Sequence, residues 1–254
     1  MRKNRWLMCM GLLILAFSLG GCSSDDPAAP AGDNTPGYGD NYQTPTTPTA
    51  MQQSQDPYAQ QANIHVNSFG AMSAHTAWLT PPGKAQKQGD GPPWTTTWDY
   101  TGDGADMTVT LVIDEDTIGE TEVWTWDVYF DGYLDAEVYE NFHVYSAWEA
   151  KDGSGGYLEW YEYPGGDPLV TWQWWANADG SFDYEFIGYD GGMPEARIIL
   201  HLNADGSGEL DIYEYVMAWV IEMHFEWTAL GTGSWISYLD GVEVDSGVWP
   251  PPTR

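Results

Sequence analysis

From Trp94 onward, apolar and polar residues alternate with a period of two. The alternation is clearest in TVTLVID, EVWTWDVYF, LVTWQWWA, DYEFIG and ARIILHL, which are rich in β-branched and aromatic residues and are separated by Gly, Asp, Asn and Pro. The pattern predicts about eleven strands. They cover residues 107–114, 121–130, 138–149, 156–163, 168–176, 181–188, 195–202, 208–215, 218–228, 233–239 and 242–249.

The predicted strands are joined by short connections. Connections of this length can link only antiparallel neighbours, so the predicted fold is all-β, an up-and-down meander built from hairpins. A strongly twisted sheet with this many strands usually closes or curls. We therefore expect a closed or half-open barrel.

An internal repeat marks the hairpins. Asp152-Gly153-Ser154, Asp179-Gly180-Ser181 and Asp205-Gly206-Ser207 recur along the chain, and Thr232-Gly233-Ser234 follows as a fourth copy. Asp-Gly provides the positive φ angles that tight hairpin turns need. Each period therefore predicts a strand, a turn and a returning strand.

The third copy, NADGSGELDIYE (203–214), also has the spacing of an EF-hand calcium loop, with Gly208 in the turn position. The second copy has the same turn, but Phe182 replaces that glycine and Gly188 replaces the final acid. The flanking segments alternate as strands, whereas an EF-hand needs helices. We therefore predict a hairpin turn and no metal site. The weaker alternative is a calcium site with ligands Asn203, Asp205, Ser207, Glu209 and Glu214.

The first 22 residues have the features of an export signal. Arg2, Lys3 and Arg5 precede an apolar run that is too short to span a bilayer comfortably. The run ends in Leu19-Gly20-Gly21-Cys22, which resembles the lipobox of bacterial lipoproteins.

The resemblance covers residues 1–22 only, and no family is recognised for the folded domain. It implies that diacylglycerol is attached to Cys22, that the signal is cleaved before it, and that a further acyl chain such as palmitate is added to the freed amine. Several acyl chains together form a lasting membrane anchor. Ser23 and Ser24 follow Cys22, with no Asp directly after it. By analogy with enteric bacteria, this favours the outer membrane of the cell envelope.

The remaining chain divides by composition. Residues 23–60 are rich in Pro, Thr, Gln, Gly and Asp and lack aliphatic periodicity, which predicts a disordered tether. Residues 61–93 contain a predicted short helix (62–79) and a second linker (81–93). Residues 94–254 form the predicted β-meander domain.

Charge narrows the classes of partner that are expected, and cysteine content limits the expected disulfides. Without the signal, five basic residues remain against 38 acidic ones, a net charge of −33. Such a surface repels nucleic acid. The acidity can reflect adaptation to a saline medium or attraction of divalent or basic ligands. Cys9 and Cys22 are the only cysteines, so no disulfide is expected in the exported domain.

The two faces of the predicted sheet differ in character. One face is apolar and includes Trp148 and Trp219, and it can be either a filled core or the lining of a ligand cavity. The other face is acidic with interspersed Tyr and Trp, and includes Glu149. Such a surface can bind sugars, although the same residues are also good formers of a soluble sheet. The candidate ligand-binding residues are Tyr161, Trp172, Trp174, Trp175 and Trp219.

No motif supports catalysis. The five histidines lack metal-binding spacing, and the chain has no nucleophile elbow or phosphate-binding loop. Paired acids of a hydrolase remain a third and weaker possibility. The sequence therefore favours a non-enzymatic binding or scaffold domain without a cofactor, whose partner is a glycan, a lipid or an envelope protein. The alternative is a carrier of a lipid or other apolar ligand in the interior of the barrel.

Overall fold

The computed structural model describes residues 35–72, 78–82, 86–102, 104–134, 137–163 and 165–250. The predicted export signal and the predicted lipidation site, Cys22, lie outside these residues. Among the described residues, two helices, α1 (Thr49–Gln52) and α2 (Pro57–Met72), precede the sheet. The strands are β1 (Gln86–Gln88), β2 (Trp94–Gly102), β3 (Ala105–Ile118), β4 (Thr121–Leu134), β5 (Glu137–Ala150), β6 (Gly155–Tyr161), β7 (Pro168–Ala176), β8 (Phe182–Asp190), β9 (Met193–Leu202), β10 (Gly208–Tyr215), β11 (Trp219–Trp227), β12 (Gly233–Leu239) and β13 (Val242–Trp249).

The strands form one antiparallel sheet in which each strand pairs with its neighbours in sequence. This confirms the predicted all-β meander. Within the described residues β1 and β13 are the two edges, so the sheet is not closed. The part of the chain that the structure describes has 13 strands rather than eleven because β1 and β2 precede the first predicted one. β1 lies in the predicted linker 81–93, where it pairs with Thr95–Thr97 of β2.

The inner face of the sheet carries the hydrophobic core. Cross-strand partners share a face, which places Leu111, Trp126, Trp172, Leu200 and Phe225 together, and all of them are buried. The opposite face, called here the outer face, carries the polar residues of the same alternation. The period of two in the sequence therefore predicts the two faces of most strands correctly.

Residues 35–72 cover the inner face. The ring of Tyr42 lies edge-on to Trp172 at 4.8 Å, and the ring of Tyr58 stacks on Trp235 at 3.6 Å. Met51, in α1, has no exposed surface. The prediction of a disordered tether is therefore wrong for residues 35–60. Their composition is poor in apolar residues, but the few that are present insert into a core formed by the sheet.

Glu149 fixes this covering segment to β5. Its carboxylate is 2% exposed and accepts hydrogen bonds from the backbone N–H of Gly39 (2.6 Å) and of Asn41 (3.2 Å), and from Nδ2 of Asn41 (2.6 Å). Burial raises the pKa of Glu149, although these hydrogen bonds oppose the shift. A buried carboxylate thus holds a segment about 110 residues earlier in the chain.

The prediction that Glu149 faces solvent is wrong because of a β-bulge. The register of β4 and β5 shifts between Val128 and Tyr129, which leaves Val144 as an extra residue. One extra residue exchanges the faces of all that follow it. Glu149 therefore lies inside, while Trp148 pairs with Thr125 on the outer face.

The hairpin turns repeat as predicted, with one correction. In 177–181 and in 203–207, the first residue's N–H bonds to the fifth residue's carbonyl at 2.8 Å. The same bond, again 2.8 Å, closes residues 228–232. The fourth copy is therefore TALGT, with Gly231 at φ +80°, rather than Thr232-Gly233-Ser234. The predicted copy is displaced by two residues because this turn has no Asp-Gly pair.

A second repeat was not apparent from the sequence. Four tryptophans lie over glycines directly opposite them on the neighbouring strand, and a Cβ added at any of these glycines would approach the indole to 2.8 Å or less. Each pair consists of a large ring and a position without a side chain, which lets the ring lie flat against the backbone. The pairs are Gly156–Trp174, Gly208–Trp227, Gly233–Trp249 and Gly247–Trp235.

Candidate functional site

The outer face carries a group of three half-buried rings, called here the aromatic stack. Tyr129 and His143 are stacked, with ring centres 4.8 Å apart and planes at 22°. On the other side of His143, the ring centre of Tyr161 lies 5.0 Å from that of the imidazole. The three rings belong to β4, β5 and β6. They form a continuous, partly exposed aromatic surface.

Two carboxylates flank the aromatic stack. Asp127 Oδ1 lies 2.8 Å from Nε2 of His143, and the hydroxyl of Tyr161 donates to Glu159 Oε2 at 3.0 Å. Burial, followed by the negative charge of Glu159, raises the pKa of Tyr161 to about 12. Burial and the negative charge of Asp127 likewise raise the pKa of Tyr129. Both phenols are therefore protonated hydrogen-bond donors at neutral pH.

The bulge that turns Glu149 inward also builds the aromatic stack. Val128 pairs with Tyr145, whereas Tyr129 pairs with His143, so the imidazole lies directly opposite the phenol. Asn141, just before His143, has a φ of +47°, a left-handed conformation that asparagine tolerates better than most residues. The local irregularity of β5 thus positions the His143 ring.

A second cluster surrounds Arg197 on β9, and is called here the Arg197 cluster. The guanidinium pairs with Glu185 of β8, and it lies 5.9 Å from the ring centre of Tyr213 and 6.0 Å from that of Trp219. Glu185 also accepts a hydrogen bond from Gln173. Because Arg197 is already paired with Glu185 and lies near two aromatic rings, this cluster is a cross-strand network rather than an open anion site.

Two further histidines are paired with aspartates across neighbouring strands. Nδ1 of His201 lies 2.6 Å from Asp183, and Nδ1 of His224 lies 2.7 Å from Asp211. In each case the hydrogen bond to the aspartate is the largest cause of a raised histidine pKa. These pairs favour the imidazolium form. They add positive charge locally to an otherwise acidic face as the pH falls.

The turn at 203–207 adopts no calcium-loop geometry. Oδ1 of Asp205 accepts hydrogen bonds from the N–H (2.9 Å) and the hydroxyl (2.6 Å) of Ser207, as Asp179 does in the second repeat. Asn203 donates its amide to the Ser207 hydroxyl at 3.0 Å. Glu214 pairs with Ala196 and Val220 at the opposite end of β10 from Glu209. The prediction of a hairpin turn is confirmed.

No metal-binding group is formed by the residues that the structure describes. Among them, no cluster of three or more His, Cys, Asp or Glu side chains has the arrangement that could hold a metal ion. Neither helix in the described ranges is long and apolar enough to cross a lipid bilayer.

The five predicted ligand-binding residues do not form one site. Trp172 and Trp174 are 1% and 0% exposed beneath Tyr42, so a ligand cannot reach them while the segment 35–72 is in place. Trp175 is 37% exposed and belongs to the outer face. Tyr161 belongs to the aromatic stack and Trp219 to the Arg197 cluster.

Trp219 reaches the outer face because of another bulge. The register of β10 and β11 shifts between Ile212 and Tyr213, so that Tyr213 pairs with Ile221 and Tyr215 pairs with Trp219. The predicted inward orientation of Trp219 is wrong for the same physical reason as that of Trp148.

Tyr129, His143 and Arg197 were not among the predicted site residues, and the sequence contains a signal for the tyrosine only. An acid followed two positions later by tyrosine occurs five times in the strands, as Asp131-x-Tyr133, Glu137-x-Tyr139, Asp127-x-Tyr129, Glu159-x-Tyr161 and Asp211-x-Tyr213. Residues two apart in a strand share a face. In the last two, the tyrosine hydroxyl donates to that acid, at 3.0 Å and 3.3 Å.

Two open hollows of the described residues lie at opposite ends of the sheet. One is lined by the turn 203–209 and by Glu226 and Trp227, and the other by the β8–β9 and β10–β11 hairpins. The inner face is filled by the tryptophans of the sheet and by residues 35–72.

No protein-family model, curated protein or solved structure gives a significant match to this chain.

Proposed function

We propose that this chain is a lipid-anchored protein of the bacterial cell envelope whose sheet is a non-enzymatic binding or scaffold domain. The aromatic stack is the ligand platform, and its ligand is a glycan. The observation that supports this proposal is the juxtaposition of three neighbouring rings, two of them stacked, with Asp127 and Glu159 on the outer face.

The chemistry of the aromatic stack suits a polyhydroxylated ligand. Pyranose rings present an apolar face that packs on tyrosine, and their hydroxyl groups donate to carboxylates. Burial raises the pKa of both phenols, so both are protonated at neutral pH. The hydroxyl of Tyr129 can therefore donate a hydrogen bond to the ligand, whereas that of Tyr161 already donates to Glu159 and can accept one. The net charge of −30 over the whole chain disfavours an anionic ligand.

The filling of the inner face favours this platform over an interior ligand site. A carrier of the kind considered above needs space between the sheet and its cover, but Tyr38, Tyr42 and Tyr58 contact the tryptophans there directly. An apolar ligand would have to displace these rings before it could bind.

The proposed anchor rests on the lipobox resemblance at Cys22. Attachment to the outer membrane would place the domain next to envelope polysaccharides. Metabolic labelling of the expressing bacterium with a clickable palmitate analogue tests the anchor. Label on the wild-type protein that is absent from Cys22→Ser is expected, and an unlabelled wild type would refute the anchor without bearing on the ligand.

Binding of glycans is tested by titrating the purified protein with soluble neutral oligosaccharides while its amide resonances are recorded by NMR. We expect shifts centred on the aromatic stack and about tenfold weaker binding for Tyr129→Ser and Tyr161→Ser. Tyr133→Ser is the matched control, because Tyr133 is a 43% exposed tyrosine of the same strand, β4. Equal loss in all three variants, or no shift with any oligosaccharide, would refute the glycan platform.

Native mass spectrometry of the same preparation tests the interior alternative. A bare polypeptide mass is expected. A stoichiometric adduct of lipid mass that disappears when Trp172 is replaced by a charged residue would favour the carrier instead.

A further inference from the structure

One end of the sheet carries an exposed apolar surface formed by two neighbouring hairpins, called here the apolar tip. It consists of Met193 at the start of β9 and Tyr215, Val216 and Met217 at the β10–β11 turn. Met217 is 91% exposed and Met193 is 69% exposed. The repeated turns at the opposite end of the sheet are instead built largely from Asn, Asp, Gly and Ser.

The backbone at Met217 is strained. Its φ is +72°, a left-handed conformation that glycine adopts readily and that costs other residues about 1 kcal/mol or more. The turn closes with a bond of 3.0 Å from the N–H of Val216 to the carbonyl of Ala218. Glycine or asparagine would suit this position better. The chain therefore places a large apolar side chain at a strained backbone position, where that side chain is almost entirely exposed to water.

The exposed side chains surround a hollow that also contains carboxylates. Met193, Tyr215 and Met217 line an open hollow of about 470 Å³ together with Pro194, Asp190 and Glu195. No lysine or arginine is among these lining residues. Beside it, the ring of Trp219 lies edge-on to Tyr215 at 5.3 Å, which holds that ring in place.

We propose that the apolar tip is a docking surface for a cationic amphipathic segment of a partner protein. The methionines and Tyr215 accept apolar side chains, and Asp190 and Glu195 accept lysine or arginine beside them. Methionine is flexible and polarizable, which suits a surface that adapts to a peptide. The inference does not depend on the glycan proposed for the aromatic stack, which lies on other strands.

Charge selects this occupant over two others. A second copy of the chain carries a net charge of −30 and would be repelled by a rim that already holds two carboxylates. A bilayer surface with anionic headgroups would be repelled in the same way, and insertion of the methionines would draw Asp190 and Glu195 towards the membrane. A basic and apolar peptide meets neither penalty.

The test uses purified full-length protein and a fluorescent peptide of alternating Lys and Leu residues, with a peptide of alternating Glu and Leu as its counterpart. Fluorescence anisotropy is expected to show binding of the Lys-Leu peptide only. Met217→Gly is expected to weaken that binding about tenfold while raising the Tm, because glycine relieves the strained φ. Weaker binding by a more stable protein cannot be explained by misfolding.

Leu230→Ser is the matched control, because Leu230 is a 79% exposed aliphatic residue in the turn 228–232 at the other end of the sheet. It is expected to leave binding unchanged, and Glu195→Gln is expected to weaken binding at low salt more than at high salt. Equal affinity of wild type and Met217→Gly would reduce the interaction to general charge attraction and overturn the proposal. Binding of zwitterionic phosphatidylcholine vesicles that is lost in Met217→Gly would instead assign the surface to a membrane.

Discussion

Trp227 packs over Gly208 and connects β11 to the turn between β9 and β10. Its indole covers the glycine on the neighbouring strand, and its Nε1 donates to the carbonyl of Gly206 at 3.0 Å. Trp249 repeats the arrangement one hairpin later, over Gly233 and bonded to Gly231 at 3.0 Å. Each tryptophan thus connects the turn before a hairpin to the strand that returns from it.

Gly208→Ala should test this packing. The added Cβ would lie 2.7 Å from Cζ2 of Trp227 and 2.6 Å from the carbonyl oxygen of His201. Because the backbone oxygen cannot move away freely, we expect the free energy of unfolding to fall by about 1–3 kcal/mol in urea denaturation. Gly188→Ala is the control, since its nearest contacts are at 3.5 Å or more. Equal effects of the two substitutions would contradict the close packing at Gly208.

Glu149→Gln should loosen residues 37–42. A neutral amide accepts hydrogen bonds more weakly than the carboxylate and adds donors where Gly39 and Asn41 already donate. Hydrogen exchange of the Gly39 and Asn41 amides is expected to become faster, while that of the β7–β9 amides stays unchanged. Uniform acceleration across the sheet would show that Glu149 supports the whole fold rather than this segment.

The raised pKa of Glu149 also predicts the sign of a pH effect. A carboxyl whose pKa is higher in the folded state than its usual 4.5 binds protons more tightly when folded. Its contribution to stability is therefore present below pH 4.5 and is lost as the pH rises through the folded-state pKa. The stability of the wild type relative to Glu149→Gln should fall over that interval. A difference that rises with pH would contradict the burial of this carboxyl.

Tyr42→Ala should expose the tryptophans of the inner face. The Tyr42 ring contacts Trp172, Trp174 and Tyr184, so its removal should lower the free energy of unfolding by about 3 kcal/mol and increase acrylamide quenching of tryptophan fluorescence. Tyr42→Phe keeps the ring and loses only the hydrogen bond to the Phe69 carbonyl, which is worth about 1 kcal/mol. If residues 35–60 were a mobile tether, neither substitution would change the quenching.

Asp211→Asn should lower the pKa of His224. The hydrogen bond from the imidazole to Asp211 is the largest cause of its raised pKa, and the amide cannot stabilise the imidazolium as the carboxylate does. The pair stabilises the fold below pH 6.5, and this contribution is lost as the pH rises through the raised pKa. NMR titration of His224 measures the shift directly. The difference in stability between the two proteins should be at most about 1 kcal/mol and confined to the acidic side.

Alternation in the sequence predicts the strands well and their faces up to the first irregularity. In β5 and β11 one extra residue reverses the assignment, so Glu149, Trp148 and Trp219 were placed on the wrong faces. A bulge leaves no mark in a period-two pattern, because both Val144 and its neighbours are acceptable strand residues. The register depends on both strands of a pair, so it cannot be predicted from the pattern of one strand alone.

The covering segment could not be predicted from its own composition. Residues 35–60 contain too little apolar surface to fold alone, and Tyr38, Tyr42 and Met51 gain their burial from strands more than 80 residues away. Only part of the aromatic stack can be predicted from the sequence. Its acids and tyrosines follow from strand alternation, but its histidine depends on the β4–β5 bulge.

The bond from the Tyr184 hydroxyl to the carbonyl of Gln43 spans 141 residues, whereas every strand of the sheet pairs with its neighbour in sequence. Hairpins can therefore form one after another as the polypeptide is synthesised, since local contacts form fastest. The segment 35–72 precedes these strands in the chain, so it has to wait until the strands it covers have formed. We therefore expect its docking to be the last step of folding, and the tryptophans of the growing sheet to remain exposed until then.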